Sequence, residues 1–151
     1  MSIPKLLSKI SRDDLDELLF GVLRSVHKFE RAKVAKFDLN YEAIFLLQFL
    51  RRHSPAKMSE IADEMNIPIS TATRVVDRIE AKGLISRKQD RKDKRIMQVT
   101  LRANGKKIVQ AVEEDTFKII TKNLEGIEAD QIQAFIETAV YLEKILKVPA
   151  D

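Results

Sequence analysis

Leu15, Leu18, Leu19, Val22, Leu23 and Val26 recur at three- and four-residue spacing, the stripe of an amphipathic helix. Ser11-Arg12-Asp13-Asp14 ahead of them has the form of a capping box, so a first helix is expected from Ser11 to about Lys36. Gly21 inside it costs about 1 kcal/mol against alanine, and close helix packing is the expected reason for it. Asn40 is a good N-cap for a second helix ending near Arg52, before Ser54-Pro55. Ala43, Ile44, Leu46, Leu47 and Leu50 with Phe45 and Phe49 make that helix apolar on most sides, hence buried.

Ala56-Lys57-Met58 is long enough only for an edge strand. Ser59 is expected to cap a short helix with Ile61, Ala62 and Met65 inward, broken by Asn66-Ile67-Pro68. A second short helix follows over Ile69–Lys82, and Gly83 stands where helices commonly stop. Leu84–Lys88 and Ile96–Leu101 read as strands joined by the charged turn Gln89-Asp90-Arg91-Lys92-Asp93-Lys94-Arg95. Two helices finish the chain. One runs from about Arg102 to Asn123 with Ile108, Val112, Ile119 and Ile120 on its stripe. The other runs from about Glu128 to Lys147 with Ile132, Phe135, Ile136, Ala139, Leu142, Ile145 and Leu146, and Pro149 ends it. About two thirds of the chain would be helical, roughly twice the usual share. The fold class is all-α with a small β-hairpin.

Placed on a helix at about 100° per residue with Ser70 at the origin, Arg74 falls at roughly 40°, Arg78 at roughly 80° and Thr71 at roughly 100°. Thr73 and Asp77 fall just short of a full turn, on the other flank of Ser70, while Ala72, Val75, Val76 and Ile79 gather on the opposite side. One side can dock on a core, and the other offers hydroxyls and guanidinium groups. A short helix, a turn and such a helix form the helix-turn-helix pattern, whose second helix can enter the major groove. Arginine suits guanine O6 and N7, and Ser and Thr suit phosphates or either base. A plain amphipathic helix with a solvated face would show the same periodicity.

Charge separates these readings. Ile69–Lys107 holds twelve Lys/Arg against four Asp/Glu, a net of +8 in a chain of net +4, so the rest of the chain sums to −4. A turn with four cations among six residues repels itself unless something anionic neutralises it, and directly after a helix-turn-helix it can reach phosphates and a narrow minor groove. A solvated turn is the plainer alternative.

The remaining composition mostly excludes. There are no cysteines, which removes disulfides, thiolate metal sites and thiol redox sensing. The two histidines, His27 and His53, lie far apart, so no metal site is expected. The longest apolar run, Ala43–Leu47, cannot span a bilayer, and Met1–Ile10 lacks the apolar stretch of a signal peptide. A cytoplasmic protein without membrane contact is expected. No catalytic set and no glycine-rich phosphate loop is present, so no enzyme and no cofactor is expected.

The run Ser70-Thr71-Ala72-Thr73-Arg74-Val75-Val76-Asp77-Arg78-Ile79-Glu80-Ala81-Lys82-Gly83-Leu84-Ile85, followed by Asp90-Arg91-Lys92-Asp93-Lys94-Arg95, resembles the winged helix-turn-helix of the MarR-type transcription regulators. The order of elements resembles that family over essentially the whole chain. The resemblance implies one domain over 1–151. Within it lie a winged DNA-binding lobe over 38–101 and a helical dimerisation lobe from 1–37 and 102–151. It implies a homodimer on a pseudo-palindromic double-stranded operator, most simply a repressor.

It further implies that Ser70, Thr71, Thr73, Arg74 and Arg78 read the major groove. Arg91, Lys92, Asp93, Lys94 and Arg95 form the wing, with Arg95 in the minor groove and Asp93 orienting it. Lys57, Ser59, Arg87 and Lys88 flank these elements and are assigned to the DNA backbone. A cleft for a small phenolic or anionic effector is implied between the lobes, with His27, Phe29, Phe45, Phe49 and Arg52 as candidates. Taken one by one, the phenylalanines and His27 read more simply as core residues, and Arg52 as a solvated helix end. Two departures stand out: Pro68 replaces the family's hydroxyl cap, and Leu101-Arg102 replaces Leu-Thr. A winged-helix adaptor that binds protein instead of DNA is the competing reading, since fold alone does not set function.

Overall fold

The computed structural model describes residues 9–147. Pro149 and most of the Met1–Ile10 segment lie outside the described residues. The elements are α1 (Arg12–Phe37), α2 (Tyr41–Arg52), β1 (Ala56–Lys57), α3 (Met58–Glu64), α4 (Ile69–Ala81), β2 (Ile85–Gln89), β3 (Met97–Leu101), α5 (Ala103–Asn123), α6 (Ala129–Ala139) and α7 (Leu142–Ile145). The chain divides into two compact units, Met1–Val112 and Glu113–Asp151. No helix among the described residues is long and apolar enough to cross a membrane.

Local chemistry sets most boundaries of the first unit. Ser11 Oγ accepts from the Asp14 amide at 3.0 Å and donates to the Asp14 carboxylate at 2.7 Å, closing the first turn of α1. Asn40 Oδ1 accepts from the Ala43 amide at 2.9 Å and starts α2. At the end of α4, Gly83 takes a φ of 71°. Its amide donates to Glu80 O, and the next amide, Leu84, to Ile79 O. That is the paired closure for which glycine is favoured.

The core of this unit gathers on α2. Ala43, Ile44, Leu46, Leu47 and Leu50 are buried, as are Ile61, Ala72, Val75, Val76, Ile79, Ile85, Val99, Val109 and Val112. The hairpin β2–β3 pairs Arg87 with Val99 and Gln89 with Met97. The edge strand β1 adds to its other side, Ala56 opposite Val99. The wing is therefore part of a three-stranded antiparallel sheet in the order β1-β3-β2. Gly105, near the start of α5, is buried because that helix crosses the backbone of Leu84 closely. A Cβ built there would lie 2.1 Å from the Leu84 carbonyl oxygen.

Four expectations need correction. Ser59 does not cap α3: the helix starts at Met58 with Lys57 in the N-cap place, two residues earlier than expected, and Glu60 reaches back to accept from the Lys57 amide at 2.7 Å. The last helix is not continuous, because Val140 and Tyr141 tighten into a turn in which the Tyr141 amide donates to Thr138 O three residues back. Gly21 has nothing within 4 Å of the position a Cβ would take, so no packing among the described residues accounts for it. His27 is exposed, not buried.

The stripe of α1 remains uncovered, with Leu18 60% and Leu23 63% exposed. In the second unit, Phe117, Phe135 and Val140 are each more than 65% exposed.

Candidate nucleic-acid interface

The turn between α3 and α4 runs through Asn66 at a φ of 50°, a left-handed conformation that asparagine tolerates better than most residues. α4 then begins at Pro68 with no side-chain cap. The Pro68 carbonyl accepts from the Thr71 and Ala72 amides at 2.9 and 3.0 Å, and the ring fixes φ for entry into the helix. Ala72, Val75, Val76 and Ile79 face the core. Ser70, Thr71, Arg74 and Arg78 are exposed on the other side. Thr73 differs from that group: it is half-buried and its hydroxyl donates to Ile69 O at 2.9 Å. Its methyl group is left as its outward chemistry.

One carboxylate organises the wing turn. Asp90 Oδ1 accepts from the amides of Lys92 and Asp93 at 2.7 and 3.0 Å, and Oδ2 accepts from Gln98 Nε2 at 2.7 Å. The Asp90 amide donates to Ile96 O at 2.9 Å. Asp93 accepts from the Arg95 amide at 2.9 Å, so it shapes the backbone on which Arg95 is carried. Arg91, Lys92, Lys94 and Arg95 are exposed. With the turn held by backbone-directed carboxylates, those four side chains are left to face outward.

The amides of Asp93 and Lys92 hold the Asp90 carboxyl below its ordinary range, against a desolvation cost and with help from the charge of Lys57. A carboxylate with a lowered folded pKa contributes order that is fully present above its unfolded value and disappears as pH falls through the folded one. The wing turn should therefore keep its structure down to the ordinary carboxylate value of about 3.8 and loosen only below it. The amide resonances of Lys92 and Asp93 should titrate with a midpoint under that value; a midpoint at or above it would contradict this account.

The residues assigned to the DNA backbone separate. Lys57, Ser59 and Lys88 are exposed. Arg87 is already engaged within the protein. Its Nε donates to Glu80 Oε2 at 2.9 Å, Nη2 lies 2.7 Å from the same oxygen, and Nη1 lies 2.7 Å from Asp77 Oδ1. Burial acts to lower its pKa, but hydrogen bonding and charge from Glu80, joined by Asp77, raise it above the ordinary value. Unlike Lys57, Ser59 and Lys88, Arg87 is thus held by the carboxylates of α4.

The proposed cleft residues do not all come together. Phe45, Phe49 and Arg52 line an open groove of about 270 Å³ with Gln48, His53 and Glu64. His53 stacks on Phe49 with 4.9 Å between ring centres. Phe45 and Phe49 are both half-buried, and Phe49 packs against the core. His27 and Phe29 do not line that groove. Phe29 instead lies beneath the Lys33 ammonium, which is 5.1 Å from its ring and 2.6 Å from Glu30 Oε1. Lys33 is 5% exposed. A separate cavity of about 420 Å³ is lined by Leu50, Arg51, Ser54, Leu101, Lys106 and Gln110. Sequence reasoning missed Arg51 and Lys106, whose elements are far apart along the chain.

No group of three or more metal-ligating side chains occurs among the described residues. A helix-turn-helix with an outward hydroxyl and guanidinium face, followed directly by a basic wing, matches the MarR family model over residues 39–97. Over those residues the chain belongs to the MarR family. It is 28% identical over 130 residues to the uncharacterized HTH-type transcriptional regulator YfiV of Bacillus subtilis, covering 86% of this chain and 81% of that one. It is 39% identical over 62 residues to the HTH-type transcriptional repressor MdtR of the same organism, covering 41% of this chain and 40% of that one. Among solved structures it resembles Streptococcus pneumoniae FabT in complex with DNA, with a TM-score of 0.78 and 18% identity, covering 90% of this chain and 97% of that one. At that identity the likeness shows the fold, a MarR winged helix. MarR-family proteins are transcriptional regulators, not enzymes.

Proposed function

We propose that this chain is a homodimeric, sequence-specific repressor that binds double-stranded DNA. The observation that carries the proposal is the division of labour on α4 and the wing. Ala72, Val75, Val76 and Ile79 anchor the helix while Ser70, Thr71, Arg74 and Arg78 stand outward, and four exposed cations follow on the turn. Repression is taken from MdtR, whose name states it. A DNA-binding regulator of this kind would work in the cytoplasm. A protein adaptor would favour an apolar or acidic contact face where this chain carries its basic wing.

Binding to the DNA upstream of its own gene should weaken steeply with salt, with a log–log slope of about −0.9 for each phosphate neutralised. Absence of any shift at low salt, with folded protein present, would sink the DNA reading. The apolar stripe on α1 and the exposed Phe117 and Phe135 of the second unit support pairing, since exposed patches of this kind mark contact surfaces. Light scattering at micromolar concentration should return twice the 17.3 kDa chain mass, and Leu23→Glu should return a single chain; a parent of single-chain mass would refute pairing. The cavity lined by Arg51 and Lys106 is within the size range of small-molecule sites. Its cationic lining supports a phenolic or anionic effector that relieves DNA binding.

A further inference from the structure

Arg87 makes four contacts back to the recognition helix, one through its amide and three through its guanidinium. β2 is an outer strand of the sheet, at the edge opposite β1. Leu84 O and the Asp90 amide bond across to the β3 side, so by alternation the amide of Arg87 points off the free edge. Glu80 Oε1 accepts from that amide at 2.9 Å, while its other oxygen and Asp77 take the guanidinium. Both carboxylates belong to α4. The covalent link between α4 and β2 is only Lys82, Gly83 and Leu84, with Gly83 left-handed. Among the described residues no strand adds to the outer edge of β2. Leu84, Ile85 and Val99 anchor the base of the hairpin in the core, and the Arg87 fork adds a directed side-chain tie from β2 to α4 across that link.

A planar guanidinium satisfied by two carboxylates fixes direction as well as distance, which a lysine cannot do. By helical spacing Asp77 lies on the same flank of α4 as the outward Ser70 and Arg74. Its bridge to Arg87 also offsets a negative charge on the face that would approach phosphates.

We infer that Arg87 is a positioning residue. It does not contact DNA; it sets the angle of the wing against the recognition helix so that both grooves are engaged in register. This rests on the DNA reading above. Without Arg87 the wing would still fold, because Asp90 closes its turn independently, but the wing would swing.

The absence of cysteine lets two spin labels be placed without background. In the DNA-free protein, a label pair at Ser70→Cys and Lys92→Cys, diluted with unlabelled chain, should give a narrow distance distribution. Arg87→Ala should broaden it, with Arg87→Lys between the two. On a duplex selected from a random pool by the parent, Arg87→Ala should weaken binding about tenfold, as loss of wing contacts implies. It should also lower the salt slope by about 0.9 for each wing phosphate given up, and abolish hydroxyl-radical protection in the minor groove. Arg87→Lys serves if the alanine variant does not fold.

An unchanged label distance, with a slope reduced by a single phosphate and the minor-groove protection intact, would make Arg87 a direct DNA contact and overturn the inference. Parent binding together with an Arg87→Ala variant of unchanged slope and protection would overturn it as well. If the parent binds no duplex at all, the DNA reading fails and this inference falls with it, whatever the labels show.

Discussion

Gly105→Ala should lower the melting temperature by about 4–8 °C, a loss of about 2 kcal/mol in a chain of this size. Alanine is the better helix former by about 1 kcal/mol, so the net loss has to come from overpacking, which costs about 1–3 kcal/mol and sometimes more. The added methyl would stand 2.1 Å from Leu84 O and 3.3 Å from a Leu101 side-chain carbon. The obstructing atom is backbone and cannot rotate away. Leu84 O is also the acceptor for the Arg102 amide at 2.9 Å, so moving it breaks the bond that extends the β2–β3 ladder into α5. Either α5 lifts off the sheet or the start of β2 shifts. Calorimetry checks the magnitude, and an unchanged melting temperature would show that α5 does not pass this close to Leu84.

Arg95→Ala and Arg74→Ala should separate affinity from selectivity. Arg95 sits on the wing tip, on a turn shaped by Asp93 and Asp90. Removing its charge should weaken binding to every duplex by about 1–3 kcal/mol. Arg74 stands on the exposed face of α4 near its first turns, where a helix in the major groove meets base edges. Its loss should leave binding to unrelated duplexes nearly unchanged and reduce the preference for the selected one, since a good bidentate base contact is worth about 1–3 kcal/mol of discrimination. Titrating each variant against a selected and a scrambled duplex at one salt concentration decides the matter. Parent-like behaviour of both variants would show the groove assignments to be wrong.

Much of the fold could be read from the chain because its helices are strongly periodic. The four residues that periodicity turned inward on α4 are the four that are buried, and Gly83 closes the helix where its type and position implied. What could not be read were directions of side chains whose partners lie beyond a turn. Arg87 looked like one more cation in a basic run, because nothing in its spacing says that it folds back seven and ten residues onto Glu80 and Asp77. Asp90 and Gln98 meet only once β2 and β3 are in register. The early start of α3 depends on Glu60 reaching back to an amide, a contact that an equally plausible serine cap conceals. His27 followed the apolar side of α1 as expected; that side is simply not covered within the described chain. Lys33 was overlooked, although Glu30 three residues earlier was a usable signal.

The uncovered stripe of α1 bears on dose. If the paired chain is the form that binds DNA, then below the dissociation constant of the pair the amount of binding-competent protein grows with the square of the chain concentration. Halving synthesis in that range would leave about a quarter of the active form, a relation that follows from mass action on two identical partners. Substitutions such as Leu23→Glu would then change the steepness of the regulatory response without touching a residue near the DNA.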